Sequence, residues 1–263
     1  MFGTSLEIRK TDDLETMRIV DLASANTKRE PRFLCLRWSP SHNLTSASPV
    51  KHNTPTLRRF LYATENYVRI IDLHDPQYSV NIDNGSGSMG KNAHVEFGAN
   101  MDEVLIWSSL SSRIVVWNLT TGKSIEIKDP KHMINGHGRR SGNKTSIFAL
   151  ITRPASHDIL NLHIPGSYTI MKSIILPTID AQGLKWSSDG RWLAVWDTPR
   201  MGYKVLIYTA DGNLLRTYTG DYFDDALIGL GVRCIEWSTS GDFLAVAGFE
   251  RTITLLHTRT VRF

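Results

Sequence analysis

Cysteine is nearly absent: Cys35 and Cys234 are the only two in 263 residues, too few for a disulfide framework. Each stands beside an aromatic-containing apolar run, so both are expected to be buried free thiols in a reducing compartment, cytoplasm or nucleus. Long apolar runs are missing as well. The longest, around 226–232 and 243–249, fall far short of the roughly 20 residues that span a bilayer as a helix. The start, Met1-Phe2-Gly3-Thr4-Ser5-Leu6-Glu7, shows neither a basic segment nor an apolar h-region, and no secretory signal is expected from it. Helical periodicity is absent too; no amphipathic 3.6-residue pattern stands out anywhere.

Catalytic signatures are equally scarce. There is no G-x-S-x-G elbow, no H-E-x-x-H and no clustered carboxylate pair, so no enzyme is expected and no cofactor is assigned. Gly85-Ser86-Gly87-Ser88-Met89-Gly90-Lys91 resembles a phosphate loop. Such a loop needs a helix N-terminus after it and a Ser or Thr for magnesium. Asn92 occupies the Ser/Thr position, and Ala93-His94-Val95-Glu96-Phe97 reads as a strand. A nucleotide-binding enzyme built on Gly85 to Lys91 is therefore the weakest of the readings. His132 and His137 have no carboxylate or cysteine beside them and read as exposed loop histidines, not metal ligands. A net charge of +4 is spread along the chain, which fits a solvated surface better than a nucleic-acid footprint.

What is present is repetition. An apolar residue, a charged residue, an aromatic and then Ser or Gly recur as Leu36-Arg37-Trp38-Ser39, Val95-Glu96-Phe97-Gly98, Leu184-Lys185-Trp186-Ser187 and Ile235-Glu236-Trp237-Ser238. A second apolar run follows each, for example Trp192-Leu193-Ala194-Val195-Trp196 and Phe243-Leu244-Ala245-Val246-Ala247, and then a third. The runs are β-branched and aromatic with a period of two, and Ser-Asp-Gly, Ser-Gly and Ala-Asp-Gly turns separate them. Each unit reads as one antiparallel sheet that needs a neighbour to bury its faces.

The equivalent aromatics Trp186 and Trp237 are 51 residues apart, but Phe97 and Trp186 are 89 apart, a gap wide enough for two units. The hidden unit is assigned to 146–150, 158–163 and 168–172. The expected fold is all-β, a WD-repeat β-propeller of about five and a half blades out of seven, with the whole chain expected to be one domain and a fragment. Its first and last blades are expected to lack strands. Insertions at 41–57 and 130–144 are expected to be mobile. Ser48 and Thr54, each followed by Pro, are candidate phosphorylation sites; Arg200, Tyr222 and Phe223 are candidate partner contacts.

The order Gly183-Leu184-Lys185-Trp186, Leu193-Ala194-Val195-Trp196-Asp197-Thr198, Tyr203 to Tyr208, Asp211 to Leu215 and Gly231 to Ser238 resembles the WD-repeat family of centrosome and spindle-pole-body proteins. The resemblance is sharp over 181–256, moderate over 6–118 and poor over 131–178. It implies a non-catalytic adaptor in the cytoplasm, at the spindle pole body or centrosome, that helps anchor microtubule minus ends. Its implied partners are a coiled-coil microtubule-anchoring protein and, in fungi, a minus-end-directed kinesin. The competing expectation is a WD-repeat subunit of another assembly, such as a ubiquitin-ligase receptor or an RNA-processing scaffold.

Overall fold

The computed structural model describes residues 5–10, 12–21, 32–40, 59–83, 90–109, 113–131, 135–140, 146–220 and 230–258. Among them are 21 strands, no α-helix and one 3-10 turn. The strands form successive antiparallel meanders. β1 (Ser5–Arg9) and β2 (Thr16–Asp21) are a hairpin. Four-stranded sheets follow: β3 (Phe33–Trp38), β4 (Arg59–Thr64), β5 (Tyr67–Asp72) and β6 (Ser79–Asp83); then β7 (Asn92–Phe97), β8 (Glu103–Ser108), β9 (Arg113–Asn118) and β10 (Ser124–Lys128). Next come β11 (His137–Arg139), β12 (Phe148–Thr152), β13 (Ile159–His163) and β14 (Ile170–Ile175), then β15 (Gly183–Trp186), β16 (Trp192–Trp196), β17 (Val205–Thr209) and β18 (Leu214–Tyr218). The last sheet has three strands, β19 (Val232–Trp237), β20 (Phe243–Gly248) and β21 (Ile253–His257).

The chain divides into two compact units, residues 1–111 with 116–123, and residues 112–115 with 124–263. In the first, β4 is buried on both faces, and strand alternation decides where each side chain goes. Leu61 and Ala63 join Val95, Phe97, Val104 and Ile106 of β7 and β8, while Phe60 and Ile71 turn the other way to Val20, Leu6 and Ile8 of the first hairpin. Arg59 clasps this unit: its Nε lies 3.3 Å from Asp72, its Nη1 donates to Asp102 at 2.5 Å, and its guanidinium stacks 4.1 Å over Tyr78. Trp38 departs from the repeat. It is 53% exposed, touching Phe60 edge-on, whereas Phe97, Trp186 and Trp237 are buried.

In the second unit two apolar layers lie between successive sheets. Ala149, Ile151, Leu160 and Leu162 meet Leu184, Trp186, Leu193 and Tyr208. The opposite faces of β16 and β17 supply Ala194, Trp196 and Val205 to a second layer with Val232, Trp237, Leu244 and Val246. Each buried sheet face thus sees the next sheet, which is why no single unit is stable without a neighbour.

Three expectations change here. The stretch 130–144 is not wholly an insertion, because 137–139 form β11, the first strand of the hidden sheet. The runs at 146–150, 158–163 and 168–172 therefore overlap its second, third and fourth strands. Gly138, with no side chain, sits where the other repeats carry large residues, and a Cβ there would press 3.1 Å from Leu184. His137 is accordingly a half-buried strand residue near the Phe148 ring, not a loop residue; His132 lies outside the described residues. Both cysteines are free, but Cys35 is only partly buried and Cys234 is exposed. A register shift between Val232 and Cys234 breaks the alternation of β19 and opens Arg233 and Cys234 to solvent.

Candidate interaction surface

The second unit carries a loop surface fixed by buried carboxylates. Asp197 follows Trp196 at the end of β16 and is fully buried. Its carboxylate accepts the backbone N–H of Ile179 at 3.0 Å, Asp180 at 2.9 Å and Thr198 at 2.8 Å. Asp158, also fully buried, accepts the N–H of Ala181 at 2.6 Å, the Thr178 hydroxyl at 3.1 Å and Lys131 Nζ at 2.8 Å. Lys131 also reaches the Ala181 carbonyl at 2.8 Å, and Asp180 bridges Lys131 and Arg153 at 2.7 and 2.8 Å. The hydrogen bond from Lys131 holds the Asp180 carboxyl below the usual carboxylate range. The oxygens of Asp158 and Asp197 are both buried and hydrogen-bonded to these loops, so the loops cannot drift without stranding a buried polar group.

On that frame stands the 3-10 turn Pro199–Met201, with Arg200 exposed at its centre. The turn backs onto Gly231, whose φ is 87° and where a Cβ would lie 2.4 Å from Pro199 Cα; no other residue type fits. The Gly231 carbonyl accepts the Phe249 N–H at 3.2 Å, and Tyr203 donates to Glu250 at 2.5 Å. Glu250 also receives the Leu230 N–H. The result is one end of the sheets where Arg200 shares a braced set of loops with exposed Ile179, Leu230 and Phe249. An arginine among exposed apolar side chains on rigid backbone has the chemistry of a protein contact, since little entropy remains to be lost on docking.

Of the residues read as partner contacts from sequence, Arg200 belongs to this surface, while Tyr222 and Phe223 lie outside the described residues, as do Ser48, Thr54 and the whole of 41–57. Leu230, Phe249 and Ile179 were not anticipated; as single apolar residues flanking strands, only the tertiary loop bracing sets them apart. The phosphate-loop resemblance ends in a strand: Asn92–Phe97 is β7, so no helix N-terminus follows Lys91. Lys91 pairs with Glu65 at 2.8 Å, and buried Asn92 donates to the Thr64 carbonyl at 2.9 Å.

The fold these sheets define is the β-propeller. Among solved structures, the chain is similar to the dihydro-heme d1 dehydrogenase NirN in complex with DHE (TM-score 0.64, 10% identity, 98% of this chain and 51% of that one). It is also similar to the Dos1 propeller (TM-score 0.59, 11% identity, 98% of this chain and 63% of that one). At such identities the likeness concerns fold alone. No family model matches the chain.

Among curated proteins, it is 29% identical over 191 residues to the WD repeat-containing protein WRAP73 of Mus musculus, covering 72% of this chain and 39% of that protein. An uncharacterized WD repeat-containing protein of Schizosaccharomyces pombe is 31% identical over 170 residues, covering 60% of this chain and 32% of that protein. Both relatives are WD repeat-containing proteins, and the propeller fold agrees with that likeness. The chain spans between about a third and two fifths of the length of the curated relatives it matches.

Proposed function

We propose that the chain is a non-catalytic WD-repeat scaffold that helps anchor microtubule minus ends at the spindle pole body or centrosome, in the cytoplasmic cytoskeleton. The observation that carries the scaffold reading is the braced loop end with Arg200, Leu230, Phe249 and Ile179 exposed on it. Its buried charges are spent on backbone N–H groups, a use that serves rigidity. The pole assignment is supported by the resemblance across 181–256, which falls on the two sheets that form this surface. The partner this reading names is a coiled-coil microtubule-anchoring protein, with a minus-end-directed kinesin as a second.

Co-purification of the tagged chain with coiled-coil pole proteins tests the reading. Retention of such a protein by the wild type and its loss with Arg200→Glu is the expected result. Recovery of ubiquitin-ligase or RNA-processing subunits in its place would overturn it.

A further inference from the structure

Asn or Asp is followed by Gly at four places in the chain: Asn84-Gly85, Asn135-Gly136, Asp189-Gly190 and Asp211-Gly212. With no Cβ on the second residue, its amide nitrogen can approach the side-chain carbonyl carbon before it. Asn84-Gly85 lies outside the described residues, and the fold treats the other three pairs differently. Both Asp-Gly pairs are locked in turns between strands. The Gly190 N–H donates to the Ser187 carbonyl at 2.9 Å, and the Gly212 N–H to the Thr209 carbonyl at 2.9 Å. Their carboxylates are held as well: Asp189 accepts the Ser187 hydroxyl at 2.7 Å and the Arg191 N–H at 3.0 Å, and Asp211 accepts the Asn213 amide at 2.6 Å. An ionised carboxylate is, besides, a poor electrophile.

Asn135-Gly136 has neither lock. Asn135 is exposed, in the turn that enters β11. Among the described residues neither its side-chain amide nor the Gly136 N–H makes a hydrogen bond. The electrophile and the nucleophile are thus both free. What is fixed is the backbone around them. The Asn135 carbonyl accepts the Leu184 N–H of β15 at 2.8 Å, and the Gly136 carbonyl accepts the Ile151 N–H of β12 at 2.8 Å.

We propose that Asn135-Gly136 is a site of spontaneous deamidation, and that its isoaspartyl product unfastens β11 from β15. The Gly136 nitrogen attacks Asn135 Cγ. The new N–C bond forms as the Cγ–Nδ2 bond breaks, and ammonia leaves with the Gly136 amide proton. Water then opens the succinimide at either carbonyl. Opening at Cγ leaves aspartate. Opening at the main-chain carbonyl leaves isoaspartate: the chain now runs through Cβ and Cγ, and the former carbonyl becomes a free carboxylate. That carbonyl is the acceptor for Leu184, and the backbone gains a carbon at the head of a three-residue strand. The junction has no slack to absorb it. A Cβ at Gly183 would already lie 2.9 Å from Asn135 Cβ, and the Gly138 carbonyl is tied to the Trp186 indole at 3.2 Å. The loop held by Asp158 and Asp197 runs directly into β15, so conversion also weakens the frame of the interaction surface.

The test is incubation of the folded full chain in mildly alkaline buffer at physiological temperature, followed over time by peptide mapping. Isoaspartate is scored by methyl transfer from S-adenosylmethionine with a purified isoaspartyl carboxyl methyltransferase. The expected result is isoaspartate with some aspartate at position 135, none at 189 or 211, and loss of that product in Asn135→Ser; the Asn84 peptide is scored separately. Asn135 is exposed, and unchanged thermal melting of Asn135→Ser would exclude misfolding. The converted chain should show faster amide exchange at Leu184 and a lower urea midpoint. Asn135→Asp, which adds the charge but keeps the normal backbone, should change neither. Persistence of Asn135 in the folded chain while it converts in the urea-unfolded chain would overturn the site. Conversion that leaves Leu184 exchange and the urea midpoint unchanged would overturn the unfastening. Because no partner protein enters the measurement, either failure leaves the Arg200 reading standing.

Discussion

Trp237 donates its indole N–H to the carbonyl of Lys185 at 3.0 Å, from the first strand of one sheet to the first strand of the sheet before it. Trp186 makes the same contact to Gly138 at 3.2 Å. The repeat aromatic is therefore both a core side chain and a hydrogen-bonded link between sheets, and both rings are buried. Trp237→Phe should cost roughly 1–3 kcal/mol, since it strands the Lys185 carbonyl and trims the ring, and Trp237→Ala roughly 3–5 kcal/mol. Urea midpoints check this; equal midpoints for wild type and Trp237→Ala would mean that the ring is not packed between sheets.

Asp158 ties Lys131 to the loop before β15. Asp158→Ala takes one of three acceptors from the Lys131 ammonium, leaves the Ala181 N–H and the Thr178 hydroxyl without theirs, and should cost roughly 3–5 kcal/mol. Adding Lys131→Met should recover part of the loss. A double-mutant cycle with no coupling energy would contradict the network.

Gly231→Ala combines a φ of 87° with a Cβ placed 2.4 Å from Pro199 Cα. A loss of about 2 kcal/mol or more is expected, with displacement of the Arg200 turn. Calorimetry would show it as a lower Tm, and amide exchange would rise first around residues 198–202.

Burial pushes the His163 imidazole below its usual range, and its Nδ1 donates to the Tyr168 carbonyl at 2.8 Å, so the folded ring is neutral. The unfolded chain takes up a proton near the ordinary value of 6.5. This group's stability is therefore fully present above that value and is lost as pH falls through it towards the depressed folded value. Urea midpoints measured from about pH 7.5 down to about pH 5.5 should decline, and His163→Gln should flatten part of the decline.

Much of the fold was legible because strand alternation and aromatic spacing are local signals. The sheets that open at Gly183 and Val232 lie where the Trp-containing repeats place them. The third sheet was misassigned by one strand because β11 has three residues, His137-Gly138-Arg139, with no aromatic and no apolar alternation. Its place in the sheet comes from pairing with Phe148–Leu150 and from the Trp186 indole reaching the Gly138 carbonyl, contacts that no sequence window contains. Trp38 matched the repeat in sequence and yet is exposed, since burial depends on what lies opposite the ring, not on the ring itself. The surface was legible only at Arg200. Leu230 and Phe249 gain meaning from Gly231 and Glu250, which hold their backbones.

The central claim, a scaffold that acts at the microtubule-organising centre through its braced loop end, is tested most directly by imaging the fluorescently tagged chain in dividing cells beside the wild-type-level expression of Arg200→Glu. The account predicts a focus at each spindle pole for the wild type and a diffuse signal for the variant with an unchanged Tm. A diffuse wild-type signal, or pole foci that survive Arg200→Glu undiminished, would contradict it.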